Sequence, residues 1–428
     1  MVMERRVMRD LIRWKGQKNR KPLIIQGARQ VGKTWLMKAF GRSQYRQVAY
    51  INFESSTRLQ SVFVPDFDLT RIVTVFEIET GLRIDAAETL LILDEIQEAE
   101  KGLSALKYFQ ENAPDYHVVA AGSLLGISLQ QHSFPVGKVD FLQLHPLSFE
   151  EFLVNAGEEQ LVSALLGKEW SVLEPFHEKL VQYLRVYYYV GGMPEAVKTY
   201  LETTHFQQVR SVQQNILLGY ENDFARYAPI EIVPRIRLVW QSVLGQLAKE
   251  NRKFIYGQLK KGARAREFET AINWLVNAGL LVKCKRVAKP TVPLRSYADT
   301  DAFKIFLVDI GLLCAMAGLS EQILLAKNQI LTEFKGALTE QFVSQQLCLS
   351  YDLYYWSADQ ATAELEFLLQ KDGALIPVEV KAEENLKAKS LSVFEQAHKT
   401  GQALRFSMSP FRQQDWMVNM PLYAVCSL

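Results

Sequence analysis

The 428-residue sequence lacks the features that mark several protein classes. Its four cysteines lie far apart and form no CxxC pair, so neither a zinc ribbon nor a disulfide framework is expected (Cys284, Cys314, Cys348 and Cys426). No run of about 18 apolar residues occurs, so no membrane span is expected. The first residues, MVMERRVMRDLIRW, are charged and contain no apolar core of a secretory signal. These absences predict a reduced, cytoplasmic protein.

The sequence also lacks an excess of one charge. Its 49 Lys and Arg residues face 47 Asp and Glu residues, which excludes a wholly basic nucleic-acid coat but allows a local basic patch. Hydrophobic residues make up 48% of the chain and charged residues 22%, as in globular domains. At about 100–200 residues per domain, the chain is expected to form two to four domains.

Apolar runs and helical segments alternate in the first third of the chain. The runs at 22–25, 48–53, 89–93 and 118–121 are predicted to be strands. Strands that are apolar along their whole length belong to parallel sheets with helices on both faces. The fold class predicted for this region is therefore α/β.

A glycine-rich loop follows the first predicted strand and precedes a helix. The segment Gly27–Thr34 matches GxxxxGK[ST], and strand–loop–helix is the context that this phosphate-binding motif needs. Backbone N–H groups would surround the phosphates at a helix N-terminus, Lys33 would reach the β- and γ-phosphates, and Thr34 would offer a hydroxyl to Mg²⁺. The predicted nucleotide-binding residues are Gly27, Ala28, Arg29, Gln30, Val31, Gly32, Lys33, Thr34 and Trp35.

Two carboxylates end the third predicted strand. In Leu90–Glu95, four apolar residues precede Asp94, which would hold Mg²⁺, and Glu95, which would activate the attacking water. Ser123 ends the fourth predicted strand and is a third candidate catalytic residue with Lys33 and Glu95. A simple strand-to-turn transition would also explain Ser123.

The motifs GARQVGKT, LLILDEIQ, AAGS, HPLSFEEFL and YVGGMP together resemble a prokaryotic family of AAA-type P-loop ATPases. Its members carry a C-terminal domain of unknown function. The resemblance implies an ATP-binding core with an α-helical lid. Within YVGGMP, the segment Gly191–Pro194 resembles the GxP motif of signal-transducing ATPases, where the lid touches the nucleotide, so Pro194 joins the candidate nucleotide-binding residues.

The chain departs from this family at a basic position. Members often have Gly-Arg where this sequence has Gly137 and Lys138, and lysine keeps the charge but lacks the planar fork of arginine. Arg29 and Arg226 are the other candidates for an arginine finger, and the sequence does not rank them.

A basic segment lies in the middle of the chain. Residues 251–295 contain eleven Lys and Arg against two Glu, a net charge of +9 within a chain of net charge +2. The segment is predicted to form a helix at 254–259, a helix at 265–278 and a strand at 280–287, which is the pattern of a winged helix. Basic residues before the second helix and in the wing would contact the phosphates of double-stranded DNA. The alternatives are a solvated basic face and a winged helix that binds protein.

The C-terminal part contains a predicted β-hairpin. Asp372 and Gly373 favour a two-residue type I′ turn, which places Glu366 opposite Glu379 and Glu364 opposite Lys381. Opposed carboxylates repel, and a divalent cation between them would remove that cost.

This constellation resembles the PD-(D/E)xK nuclease fold. Glu379 and Lys381 match its ExK element, and Glu340, in a helix that starts near Lys335, is a further candidate ligand. The resemblance implies a second metal site formed by Glu340, Glu366 and Glu379, with Lys381 beside it. Glu366 stands where the family usually has Asp, and a carboxylate displaced by about 1 Å costs about 100-fold in rate. The alternative is a nuclease-like domain that serves for docking.

The predicted organisation has four parts. These are an AAA-type P-loop ATPase core (1–147), a helical lid (148–229), a winged helix (230–300) and a restriction-endonuclease-like α/β domain (301–428). The predicted function is Mg²⁺-dependent ATP binding and hydrolysis that drives a conformational switch, coupled to DNA or to a protein partner. The alternatives are an ATP-gated, metal-dependent DNA nuclease and a non-hydrolysing switch that recruits partners. AAA relatives often form rings, so a homo-oligomer is a further expectation.

Overall fold

The computed structural model describes residues 3–122, 137–249, 253–325, 332–358, 363–382 and 388–428. The chain divides into two compact units. The first unit holds Arg5–His145 and Asn277–Gly279, and the second holds Met1–Glu4, Pro146–Val276 and Leu280–Leu428.

The first unit alternates helices with strands. Its helices are α1 (Met8–Lys15), α2 (Lys33–Gln44), α3 (Leu69–Thr80) and α4 (Gly102–Asn112). Its strands are β1 (Leu23–Gln26), β2 (Gln47–Asn52), β3 (Thr89–Asp94), β4 (His117–Ala121) and β5 (Asp140–Gln143). The four predicted strands are therefore present, with bounds that differ by one residue or so.

These five strands form one sheet in the order β2-β3-β4-β1-β5. Every neighbouring pair is parallel, which confirms the predicted α/β class. All six residues of β3 are buried, as expected of an inner strand covered on both faces. Strand β5 was not predicted because it is short, lies at the edge and alternates half-buried with exposed residues instead of forming an apolar run.

The second unit begins with helices and ends in a sheet. Its helices are α5 (Phe149–Asn155), α6 (Glu159–Leu166), α7 (Trp170–Leu173), α8 (His177–Val190), α9 (Pro194–Thr203), α10 (Phe206–Tyr227), α11 (Val233–Leu247), α12 (Ala265–Asn277), α13 (Ile310–Met316), α14 (Glu321–Leu325), α15 (Thr332–Leu347) and α16 (Lys389–His398). Its strands are β6 (Leu281–Val287), β7 (Ala298–Leu307), β8 (Tyr354–Ser357), β9 (Glu364–Lys371), β10 (Ala374–Val380), β11 (Ala403–Ser407), β12 (Arg412–Gln413) and β13 (Met417–Pro421).

The strands of the second unit form a mixed sheet in the order β12-β13-β11-β10-β9-β8-β6-β7. The hairpin β6–β7 joins this sheet because β6 also pairs in parallel with β8. The domain boundary predicted at 300 therefore falls inside β7, and the hairpin and the C-terminal strands share one sheet.

The hairpin β9–β10 has the predicted register. Ala374 pairs with Lys371 and Val378 with Phe367. Asp372 and Gly373 have φ angles of 49° and 80°, and a type I′ turn needs positive φ at both positions. The apolar run at 422–425 has the character of a strand in the sequence, but it is buried in the 3-10 helix Leu422–Ser427. Apolarity alone does not separate a short strand from a buried helical turn.

The basic segment forms its elements in the predicted order. The short first helix is a 3-10 turn at Tyr256–Gln258, and it is followed by α12 and the β6–β7 hairpin. The chain before the turn is tied to β7, because the Phe254 N–H donates to the Phe303 carbonyl at 2.7 Å and the two rings stack 5.3 Å apart. Among the described ranges, no helix is both long and apolar enough to cross a membrane.

Candidate functional site

The glycine-rich loop connects β1 to α2 in the first unit. Gly32 has a φ of 93° directly before α2, a left-handed conformation that a Cβ would strain. The Lys33 ammonium donates to the carbonyls of Gly27 and Ala28, both at 2.9 Å. The lysine is thus folded over the loop whose N–H groups would surround a phosphate.

Lys33 is held in a buried position. Only 7% of the residue is exposed. Burial lowers the pKa of Lys33 from 10.5 to about 8, with the Glu95 and Asp94 carboxylates opposing the shift and Arg29 adding to it. An anionic ligand beside the amine would reverse this effect, since a nearby negative charge favours the ammonium form.

Asp94 connects the acidic strand end to the loop. Its Oδ2 accepts a 2.7 Å hydrogen bond from the Thr34 hydroxyl and a 2.9 Å bond from the Tyr50 hydroxyl. Burial raises the pKa of Asp94, and the bonds from Thr34 and Tyr50 oppose that rise. The structure thus brings two predicted Mg²⁺ ligands together. Oxygen donors of this kind are the ligands that Mg²⁺ prefers, so the side chains present fit that ion.

Glu95 leaves the strand in an unusual conformation. It has a φ of 51°, uncommon for a residue with a Cβ. The Gln97 side-chain amide donates to Glu95 Oε2 at 2.6 Å. Glu95 is half-buried, and this hydrogen bond fixes its side chain to a residue two positions further along the chain.

Sequence reasoning missed two polar residues of this site. Gln97 stands in the quoted motif LLILDEIQ, but its spacing from Glu95 carried no known meaning. Tyr50 occupies β2, the neighbour of β3, and only the pairing of Ile92 with Tyr50 places its hydroxyl near Asp94. Along β2, buried residues alternate with half-buried ones. The corresponding alternation in the sequence was the signal that could have placed Tyr50 on one face of the sheet.

The remaining predicted residues lie elsewhere. Ser123 falls outside the described residues. Trp35 is 38% exposed in the first turn of α2. In the first unit, Lys138 forms an ion pair with Glu111 at 2.9 Å. Pro194 is the first residue of α9 in the second unit.

A lysine lies among the carboxylates of the C-terminal sheet. Lys304 of β7 is fully buried, and its ammonium lies 2.6 Å from Glu364 Oε1 and 3.8 Å from Glu340 Oε2. Glu340 is therefore beside an internal cation, a contact that the sequence prediction did not include.

The other predicted ligands also have partners within the protein. Glu366 accepts a hydrogen bond from the Val380 N–H at 3.0 Å. Glu379 is 2% exposed, and its Oε1 pairs with Lys381 at 3.0 Å, whereas its Oε2 accepts no hydrogen bond from any residue that the structure describes. Burial raises the pKa of Glu379, and Lys381 opposes the rise.

The second metal site at Glu340, Glu366 and Glu379 stays a prediction. In the part of the chain that the structure describes, no group of three or more His, Cys, Asp and Glu side chains is placed to hold a metal ion. Lys304 and Lys381 supply positive charge beside these carboxylates.

Family models match three parts of the chain. Residues 19–153 match a model described as AAA domain. This part of the chain has the predicted P-loop NTPase fold. Residues 181–323 match Domain of unknown function (DUF8612), and residues 335–424 match Domain of unknown function (DUF4143). The matched region contains both the Gly27–Thr34 loop and the Asp94–Glu95 pair, and the match supports ATPase activity for this domain.

Solved structures show similar chains at low identity. A Walker-type ATPase of Pyrococcus abyssi has 14% identity and a TM-score of 0.46, with 74% of this chain and 96% of that chain covered. The ORC1 protein of Aeropyrum pernix in complex with DNA has 13% identity, a TM-score of 0.31 and coverages of 74% and 93%. Drosophila ORC bound to DNA has 15% identity, a TM-score of 0.27 and coverages of 70% and 90%. No curated protein matches the sequence.

The lowered pKa of Lys33 predicts that ATP binding takes up a proton. Above pH 8 the ligand-free amine is largely neutral, and the phosphates restore the ammonium, so affinity falls as pH rises past about 8. Calorimetry at pH 9, in two buffers with different ionisation enthalpies, should report uptake approaching about one proton per site. Lys33→Arg is the matched control because arginine stays protonated. Equal uptake in both proteins would assign the proton to another group.

Proposed function

We propose that the chain uses Mg²⁺ and ATP at the loop of the first unit and couples hydrolysis to contact with double-stranded DNA. The observation that carries the DNA part is a set of exposed basic side chains on one helix–turn–helix–hairpin segment. This segment, 233–307, comprises α11, the 3-10 turn, α12, β6 and β7. The ATPase part depends on the contacts of Lys33, Thr34 and Asp94.

The nucleotide site has a division of roles. Lys33 holds the β- and γ-phosphates, since its buried ammonium already lies over the loop carbonyls. Thr34 and Asp94 hold Mg²⁺, which when bound neutralises charge on the phosphate oxygens. Tyr50 keeps Asp94 in place through its hydrogen bond. Asp94 is nearly fully buried, so its carboxylate is oriented before the ligand arrives.

Glu95 accepts the proton of the attacking water. A carboxylate at this strand end, next to the Mg²⁺ ligand Asp94, is in position for general-base catalysis. The Gln97 amide holds Glu95 Oε2 and thereby limits the rotamers of the side chain.

The basic residues of the middle segment separate into two groups. Lys283 and Arg286 serve the fold: the Lys283 ammonium lies 4.0 Å from the centre of the Phe303 ring, and Arg286 bonds to Ser357 and Asp299. The other described basic residues are exposed, namely Lys253, Lys260, Lys261, Arg264, Arg266, Lys285, Lys289 and Arg295. Exposed positive charge of this kind can neutralise phosphates.

The positions of the exposed charges support a winged-helix contact with DNA. Lys260, Lys261 and Arg264 occupy the turn before α12, and Arg266 lies in its first helical turn. One face of α12 is buried through Phe268, Ile272 and Leu275, among others. The other face of the helix is therefore open to solvent. We assign α12 to the major groove and the β6–β7 hairpin to the adjacent backbone.

DNA affinity should depend steeply on salt. If about five phosphates are neutralised, log K falls with log[salt] at a slope near −4.5. Replacing Lys260, Lys261 and Arg264 together by Ala should reduce the magnitude of that slope by about 2.7, since each phosphate contact contributes about 0.9. The measurement is fluorescence anisotropy of a labelled duplex, over a series of salt concentrations.

A matched variant controls for the loss of positive charge alone. Lys168, Lys198 and Lys399 also belong to the second unit, and replacing these three by Ala removes the same charge. The control should keep the wild-type slope. Two results would exclude DNA binding by these residues. One is the same slope of log K against log[salt] in both triple variants, and the other is a wild-type protein that does not bind the duplex.

A further inference from the structure

One oxygen of the Asp94 carboxylate is fully occupied by hydroxyl groups. Oδ2 accepts from the Thr34 hydroxyl at 2.7 Å and from the Tyr50 hydroxyl at 2.9 Å. Oδ1 accepts from the Glu95 N–H at 3.2 Å. An ionised carboxylate offers about four acceptor positions, two on each oxygen, so both positions on Oδ2 are taken. A metal ion could bind Oδ2 directly only after one of the two hydroxyls had left.

The two hydroxyls on Oδ2 differ in their relation to a bound metal ion. Thr34 belongs to the phosphate-binding motif, and its oxygen can face Mg²⁺ while its hydrogen stays on Asp94. Tyr50 lies outside the motif, on the neighbouring strand β2, where it pairs with Ile92 of β3. Tyr50 therefore occupies the second position on Oδ2 without belonging to the set of metal ligands.

The Tyr50 hydroxyl is fixed as a donor to Asp94. The Asn52 amide donates to the Tyr50 oxygen at 3.1 Å. The orientation of this amide is set by the backbone, because Asn52 Oδ1 accepts from the N–H groups of Glu54 and Ser55 at 2.9 and 3.0 Å. The Tyr50 oxygen thus accepts from Asn52, and its own hydrogen goes to Asp94. Burial raises the pKa of Tyr50 to about 12, so the hydroxyl keeps this hydrogen near neutral pH.

The ring of Tyr50 is held independently of its hydroxyl. The Lys38 ammonium lies 3.5 Å from the centre of the ring. Lys38 follows Thr34 by one turn of α2, so the same helix holds both the ring of Tyr50 and the other hydroxyl on Asp94. A cation–ring contact does not need the hydroxyl. Phenylalanine at this position would therefore keep the ring in place and remove only the bond to Asp94.

We infer that Tyr50 is a positioning residue that makes the nucleotide site select Mg²⁺ over Ca²⁺, by keeping Asp94 Oδ2 from binding the metal directly. Mg²⁺ keeps several of its waters and needs few protein ligands besides the phosphates, whereas Ca²⁺ takes about six to eight oxygen ligands, bidentate carboxylates among them. A site in which Oδ2 is occupied therefore suits Mg²⁺ better. The inference rests on the proposed function, because it takes Thr34 and Asp94 to be the residues that hold Mg²⁺.

Tyr50→Phe tests this role because it removes the hydroxyl and keeps the ring. It opens one acceptor position on Asp94 Oδ2 to a cation. The open position should favour Ca²⁺ more than Mg²⁺, since Mg²⁺ gives up its waters reluctantly and Ca²⁺ readily accepts further carboxylate oxygens. If Tyr50 were only structural, the substitution would instead weaken binding with both metals alike.

A second tyrosine of the first unit provides the matched control. The Tyr45 hydroxyl lies 2.5 Å from Nδ1 of His117, and the Lys15 ammonium lies 4.2 Å from the centre of the Tyr45 ring. Tyr45→Phe thus removes a hydroxyl bonded to a side chain and keeps a cation–ring contact, as Tyr50→Phe does. His117 begins β4, whereas Asp94 lies beside the last residue of that strand. The control therefore acts at the other end of the sheet.

The measurement is equilibrium binding of a fluorescent, non-hydrolysable ATP analogue to the full chain, in saturating Mg²⁺, in saturating Ca²⁺ and in EDTA. In the wild type, Kd with Ca²⁺ should exceed Kd with Mg²⁺. In Tyr50→Phe the ratio of the two Kd values should fall about tenfold through tighter binding with Ca²⁺, the scale on which residues around metal ligands change metal affinity. In Tyr45→Phe the ratio should stay within about twofold of the wild type.

The outcomes separate two failures. A wild type that binds the analogue no better with Mg²⁺ than in EDTA refutes the proposed metal site, and the inference falls with it. A wild type that needs a metal but does not prefer Mg²⁺, or an unchanged ratio in Tyr50→Phe, overturns the inference and leaves the proposed function standing. Equal weakening with both metals in Tyr50→Phe, or the same change of ratio in Tyr45→Phe, also overturns it and reduces Tyr50 to a structural residue.

Discussion

Glu95→Gln should lower kcat for ATP hydrolysis by about 100- to 10,000-fold, the usual contribution of a general base. The glutamine keeps the size of the side chain and removes the proton acceptor. Nucleotide affinity should change by less than about threefold, because Glu95 acts on water and not on the phosphates. Steady-state hydrolysis and equilibrium binding of a fluorescent ATP analogue measure the two quantities separately.

Glu98→Gln is the matched control for this prediction. Glu98 lies in the 3-10 helix Ile96–Glu98 that directly follows Glu95, and the substitution removes the same charge. Its kcat should stay within about twofold of the wild type, as is usual for a partly exposed position away from the chemistry. A Glu95→Gln enzyme with wild-type kcat would show that another group activates the water.

Lys33→Ala should reduce kcat/KM for ATP by about 1,000-fold or more. The substitution removes a charged donor from the phosphates in the bound state, worth about 10- to 100-fold in affinity. It also removes the cation that stabilises the charge developing in the transition state, worth about 100-fold or more. The measurement is the same steady-state assay, extended to millimolar ATP.

Arg42→Ala controls for the loss of one positive charge from α2. Arg42 is exposed in the last turn of that helix, away from the loop. Its kcat/KM should remain close to that of the wild type. A kcat/KM of Lys33→Ala above about one tenth of the wild-type value would contradict the role given to Lys33.

The local motifs were predictable because each depends on a few neighbouring residues. The Gly27–Thr34 loop, the Asp94–Glu95 pair and the turn at Asp372 carry their geometry in adjacent positions. The register of β9 and β10 follows from that turn. In these cases the relevant physics is local backbone conformation and strand alternation.

Features that depend on distant residues were not predictable from one sequence. Tyr50 reaches Asp94 only because β2 pairs with β3. Lys304 reaches Glu364 because β7 and β9 belong to one sheet, which no spacing along the chain reveals. Asp309 binds Gly192 across 117 positions of sequence. Each contact is set by tertiary packing and not by local propensity.

The most direct test of the central claim is ATP hydrolysis with and without duplex DNA, at low and at high salt. Wild type, Lys33→Ala and the triple variant at Lys260, Lys261 and Arg264 are compared. We expect DNA to stimulate hydrolysis in the wild type, and this stimulation should weaken at high salt. The triple variant should lose the stimulation and keep basal hydrolysis, and Lys33→Ala should lose about 1,000-fold or more of kcat/KM. Hydrolysis that depends on Lys33 but is indifferent to DNA in every protein would contradict the coupling between the nucleotide site and the basic segment.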